Sequence, residues 1–224
     1  MLENYRLKLC ILLIAVTCVL TTWSAFLYLN HHHISILLFS LVCLGTGYDF
    51  WGTVSGKYVR HKKTLLFLAR TRYFLVNFGI LFTPYTLLFI LSESQSQKIL
   101  FSYWFANHYF CFLLLSLFTG VPYLVSRYTT VKGNYYPVVV VDKTSQITHA
   151  AFILRRMMLL LSLVLALLAA IDGFLIETHL FAGVFIVLFI VCVPLHILKK
   201  NSLAMLVEVA TLCIVFLGVN IYFT

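Results

Sequence analysis

The sequence predicts an all-α, polytopic transmembrane helix bundle with seven spans, the N-terminus in and the C-terminus out. Three observations carry this expectation. The 224 residues are 62% apolar and 16% aromatic but only 10% charged, and the mean hydropathy is +1.00, whereas soluble domains run at roughly 45 to 50% apolar and about 25% charged. Seven stretches, at 9 to 29, 34 to 54, 73 to 92, 101 to 125, 152 to 174, 178 to 197 and 202 to 223, supply the run of about 20 mainly apolar residues that a spanning helix needs. Fifteen of the sixteen Lys and Arg residues fall on one side once those spans are threaded alternately.

With the N-terminus inside, Arg6 and Lys8 precede the first span on the inner side. The next inner segment takes Lys57, Arg60, Lys62, Lys63, Arg70 and Arg72; then follow Arg127, Lys132, Lys143, Arg155 and Arg156, and finally Lys199 and Lys200. Lys98 alone falls outside. Arg6 and Lys8 before an apolar core resemble the start of a signal sequence, but aromatic residues continue through Trp23, Phe26 and Tyr28, which predicts an uncleaved first span. The outer links, 30 to 33, 92 to 99 and 173 to 177, are short, so consecutive helices should pack as antiparallel hairpins. Pro84, Pro122 and Pro194 should kink or end their spans.

The whole chain, 1 to 224, reads as one integral membrane domain. Its one substantial polar segment is an inner loop at about 126 to 150. Within it, 135 to 141 (YYPVVVV) is too short to span and too rich in β-branched side chains for a surface helix, which predicts a strand or small hairpin.

The net charge of +9 does not imply nucleic acid, because the cations sit in short segments between apolar runs rather than on one soluble surface. Lys57, Arg60, Lys62, Lys63, Arg70, Arg72, Arg155 and Arg156 read instead as contacts to the lipid bilayer or to a protein partner. The six cysteines lie inside apolar runs without metal-type spacing and read as buried apolar filler. HExxH, GxSxG, P-loop and paired-carboxylate patterns are absent, so an enzyme is not expected and no cofactor is implied. His31, His32, His33, His108 and His179 lie near the outer face; of these His31, His33, His108 and His179 are the only candidates for a metal, and a plain interfacial role suits them better.

Glu208 is the charge that topology does not explain. It lies well inside the last span, where an ionised carboxylate facing lipid costs several kcal/mol, on the order of 3. Asn201, Ala204, Glu208, Thr211, Val215 and Gly218 recur at spacings of three and four and form one small, partly polar stripe. Asp49 lies on a comparable stripe with Gly45, Gly52 and Gly56 in the second span. Small residues there should admit a neighbouring backbone, and the carboxylate should pair with Arg155 or Arg156 or meet the headgroup layer. For both acids a structural role competes with an ion-binding one.

From the 126 to 150 loop onward, Val139 to Asp142, the Arg155–Arg156 pair, and Lys199 to Leu203 followed by Ala210 and Thr211 occur in an order that resembles the RDD family of small membrane proteins. Arg70 to Asn77 looks like that family's opening motif, so the resemblance covers about 66 to 215. Asn77 stands where the family carries an intramembrane Asp, and Ala204 with Met205 replace its terminal acidic site. The resemblance implies a leaning toward ion exchange.

The functional expectation is therefore small-solute or ion permeation along a helix-lined polar path holding Glu208, Asp49, Asn77 and Thr211, working by protonation or cation binding at a carboxylate. The alternative is a non-catalytic membrane subunit that binds a partner through its basic inner segments, with a homo-oligomer open to either. Size and short links suggest a bacterial cytoplasmic (inner) membrane.

Overall fold

The computed structural model describes residues 2–93, 108–132, 137–142, 146–175, 191, 195 and 201–223. These form six helices and one β-hairpin: α1 (Leu2–His31), α2 (Ile34–Tyr58), α3 (Lys62–Glu93), α4 (Tyr109–Val125), β1 (Tyr128–Lys132), β2 (Pro137–Val141), α5 (Gln146–Leu175) and α6 (Asn201–Phe223). Apart from Val191 and Leu195, the expected crossing at 178 to 197 lies outside the described residues, as do Lys98, Lys143, His179, Lys199 and Lys200. Among the described residues three helices are long and apolar enough to cross a membrane, at Leu7–His31, Ile34–Tyr58 and Leu203–Asn220, while Phe110–Val125 is apolar but shorter. This fits an integral membrane protein.

Packing polarity points the same way. The bundle exposes large apolar side chains, among them Leu12, Val19, Phe118, Leu160 and Leu217, and buries Thr17, Ser40, Thr86, Ser116 and Ser162. In water the exposed apolar faces would forgo part of the hydrophobic driving force; in lipid they are solvated, and small polar residues suit helix contacts because they permit close approach. The buried hydroxyls cost little, since Thr17, Thr86, Ser116 and Thr119 each donate to a carbonyl one turn back in their own helix.

The α2–α3 turn defines a basic end, where Lys57, Arg60, Lys62 and Lys63 are exposed. Near it, Leu9, Cys10 and Leu13 of α1 join Phe50 and Val54 of α2 and Met205 and Val209 of α6 in one apolar cluster. Deeper in the bundle, Leu20 and Leu27 of α1 join Ile36 and Phe39 of α2 and Val215 and Val219 of α6. Residue numbers rise together in α1 and α6 and fall in α2, so α1 and α6 are parallel and α2 opposes both. In the same way Tyr73 stacks on Tyr123 at one level and Tyr85 on Phe112 at another, which makes α3 and α4 antiparallel. Ala151 packs with Tyr123 while Leu165 shares a cluster with Phe112, so α5 opposes α4 and runs with α1, α3 and α6.

The segment from Ser55 to Arg72, expected as a basic loop, is almost wholly helical. α2 continues to Tyr58 and α3 begins at Lys62, leaving three residues for the turn. Lys and Arg are good helix formers, and extending the helix satisfies backbone groups that an interfacial loop would leave to water. At the opposite end His32 turns the chain with φ 56°, a left-handed conformation that ends α1, and its N–H donates to the Tyr28 carbonyl at 2.7 Å.

The polar segment folds as an antiparallel hairpin with Tyr128 opposite Val141 and Thr130 opposite Val139. Pro137 opens β2, where a missing N–H is tolerated. Alternation turns Val139 and Val141 inward: Val139 packs on Leu65 and Ala69 of α3, and Val141 on Tyr123 and Ala151. The hairpin thus ties together the basic ends of α3, α4 and α5.

Candidate functional site

Four helices bring charged or ionisable groups to one level. Asp49 lies near the last third of α2, Arg72 eleven positions into α3, Glu208 eight into α6 and Cys10 nine into α1. At about 1.5 Å rise per residue each is roughly 10 to 15 Å from the basic end of its helix. Alternating helix direction is what makes these unrelated positions coincide.

The central contact is an ion pair: Nε of Arg72 donates to Oδ1 of Asp49 at 2.6 Å, with the two side chains 27% and 25% exposed. The expected pairing of Asp49 with Arg155 or Arg156 is therefore corrected. α2 and α3 form a tight hairpin, and Asp49 and Arg72 stand at nearly equal chain distance from its turn, so they meet; Arg155 lies on α5, beside Tyr123. The glycine stripe is corrected too. A methyl group at Gly52 would collide with the Arg72 side chain, while one at Gly45 would meet nothing. Gly52 admits a side chain across the helix pair rather than a neighbouring backbone.

Glu208 is partly buried on α6 and lies within electrostatic range of the Asp49 carboxylate. Its stripe faces inward, with Ala204 and Thr211 buried and Leu206 and Leu217 exposed. The site therefore holds two carboxylates and one guanidinium. Asp49 and Arg72 neutralise one another, which leaves the charge of Glu208 without a cation among the described residues. A proton or a bound cation would balance it.

Asn77 and Thr211 flank this level without joining it. The Thr211 hydroxyl donates to the Val207 carbonyl at 2.7 Å. Asn77 is fully buried; its Nδ2 donates to the Tyr73 carbonyl at 2.6 Å, which turns Oδ1 away, and Oδ1 has no hydrogen-bond partner among the described residues. Arg72 lies five residues before it, about 7 Å along α3.

The remaining candidates divide. Lys57, Arg60, Lys62, Lys63, Arg70 and Arg156 are exposed near the basic end, and Arg155 is half-buried. His31 is exposed, His33 and His108 partly so, and no group of three metal-ligating side chains forms among the described residues. Not foreseen from the sequence was a tyrosine cluster: Tyr73 lies parallel to Tyr123 at 6.2 Å and meets Tyr128 at 5.6 Å, with the Arg70 guanidinium over the Tyr128 ring at 5.8 Å. Interfacial tyrosines beside basic residues were the available signal. Burial pushes the Tyr128 phenol up from its ordinary range, so it stays a neutral donor to the Tyr123 carbonyl.

No family model and no curated protein matches this chain.

Proposed function

We propose that the protein passes protons or small cations through the bundle, with Glu208 as the binding carboxylate and the Asp49–Arg72 pair as its fixed neighbour. The observation that carries this is the charge count: carboxylates from α2 and α6 share one level with a single guanidinium. A bilayer penalises an unbalanced charge by roughly 3 kcal/mol at the midplane, so this group recruits a proton or cation or faces water. The unpartnered Oδ1 of Asn77, deeper along α3, supplies an acceptor for water or a cation on the way. The resemblance to the RDD family leans toward ion exchange as well.

The reading includes seven crossings, with the basic end inside, as in a bacterial cytoplasmic membrane. In support, α5 and α6 run in the same direction, which places Leu175 and Asn201 at opposite ends of the bundle. Apart from Arg72, the lysines and arginines among the described residues belong to the basic end, the pattern that orients cytoplasmic segments.

Glu208→Gln is the test, with ion flux in proteoliposomes and melting in detergent measured together. Loss of most of the flux with unchanged melting is expected; unchanged flux with unchanged melting sinks the proposal. The exposed cations Lys57, Arg60, Lys62 and Lys63 favour a second reading, a membrane subunit that docks an acidic partner. Under that reading, reversing these charges releases a co-purifying protein and leaves the Glu208 variant inert.

A further inference from the structure

The hairpin at the basic end has an open side. β2 is the strand that lies against α2 and α3, which leaves β1 as the outer strand. The Asp142 N–H donates to the Arg127 carbonyl at 2.8 Å, so Arg127 and Asp142 face each other across a hydrogen bond. In an antiparallel ladder such pairs alternate with unbonded ones. The register, with Tyr128 opposite Val141, then aims the N–H and C=O of Tyr128, Thr130 and Lys132 away from β2. Among the described residues no third strand joins the sheet, and no backbone group bonds Tyr128 or Thr130 from that side. Thr129 and Thr130, on opposite faces of the strand, are both exposed. Native proteins guard such edges with proline, charge or a bulge; Tyr128 to Val131 has no proline and no charge, and its register is unbroken. The edge is also held in place, because the Tyr128 phenol donates to the Tyr123 carbonyl and its ring meets Tyr73 and the Arg70 guanidinium. A preformed edge reduces the ordering that binding would require.

The charges around the edge select its occupant. Val139 and Tyr128 pack on Val59, Leu65, Leu66 and Ala69, so the exposed Arg60, Lys62, Lys63 and Arg70 gather beneath the hairpin, and the exposed Arg127 stands at the start of β1. Across 59 to 72 and 127 to 142 the sequence holds one acid, Asp142. A second copy of the hairpin would bring a second set of these cations against the first. An anionic lipid headgroup would meet the cations but carries no row of N–H and C=O groups to fill the edge. An acidic strand satisfies both, with main-chain bonds for affinity and charge for selection.

We infer that the outer edge of β1 takes up an extended, acidic peptide segment of a partner protein, added to the hairpin as a third strand. The edge is independent of the ion path at Glu208 and is read without a flux assay.

The full-length protein in phosphatidylcholine nanodiscs is titrated with a short fluorescent peptide of alternating valine and glutamate, a suitable probe because main-chain bonds carry the affinity in strand addition. The peptide should bind, and more weakly as salt rises. The same peptide N-methylated at two adjacent central residues, equal in charge but blocked on both of its edges, should not bind. Thr130→Pro deletes one outward N–H without a change of charge, at an edge where proline is tolerated. It should weaken binding about tenfold with melting unchanged, while Thr130→Ala binds as the parent does. Should Thr130→Pro melt lower, the two peptides on the unaltered protein still decide. No binding of the valine–glutamate peptide, equal binding of the methylated one, or parent-like binding by a well-folded Thr130→Pro overturns the site. Slow amide exchange at Thr130 before any peptide is added overturns it too, with the membrane as the cover if phosphatidylglycerol brings the slowing and a second copy if protein concentration in detergent does.

Discussion

Arg72 is where one residue's neighbours decide most. Its Nε is held by Asp49 at 2.6 Å, and the space for its side chain exists because residue 52 is glycine. Asp49→Asn strands a guanidinium in the bundle and should cost about 3 kcal/mol. Arg72→Gln strands the carboxylate at a similar cost, and the double variant should recover about 1 to 3 kcal/mol of the summed loss; additive losses in detergent melting would show that the pair is not coupled. Gly52→Ala should cost about 1 to 3 kcal/mol by displacing Arg72, while Gly45→Ala, which faces open space, should be neutral or stabilise by up to about 1 kcal/mol. Equal effects at the two glycines would contradict the geometry. The sequence made Asp49 and Glu208 conspicuous as acids inside apolar runs, but their partner was not legible, because Arg72 sits among other cations that serve topology. Only the near-equal spacing of Asp49 and Arg72 about the α2–α3 turn distinguished it.

Among the elements, the hairpin shows best what periodicity conveys and what it omits. The run 135 to 141 announced a strand through its β-branched residues, and its mate, Tyr128–Lys132, carries a shorter run of the same kind in Tyr128, Thr129, Thr130 and Val131 that the expectation of a strand at 135 to 141 did not include. The basic segment after α2 misled in the opposite way, since charge suggested a loop where lysine and arginine simply extend two helices. The docking of β1 rests partly on Tyr128, whose phenol donates to the Tyr123 carbonyl and is pushed up by burial. The folded protein holds that proton more tightly than the unfolded chain, so this stability is complete below the ordinary phenol pKa of about 10 and falls as pH rises above it. Tyr128→Phe should flatten the alkaline limb of a melting-against-pH profile, and an unchanged limb would place the titration elsewhere.

For the whole molecule, alternating helix direction is the organising fact, because it gathers positions 10, 49, 72 and 208 at one level and the described cations other than Arg72 toward one end. Composition was enough to announce helices in a membrane, and three are long and apolar enough to cross one. Which helices touch was not readable, since the faces that meet and the faces left exposed are both largely apolar, with small polar residues scattered among the contacts. The proposed role rests on Glu208 exchanging a proton or cation inside that bundle. Infrared difference spectra of the reconstituted protein, acid minus neutral pH in buffer without metal cations, test this most directly. The account predicts a carboxylic-acid carbonyl band that appears on acidification and vanishes in Glu208→Gln. Identical difference spectra from the two proteins would contradict it.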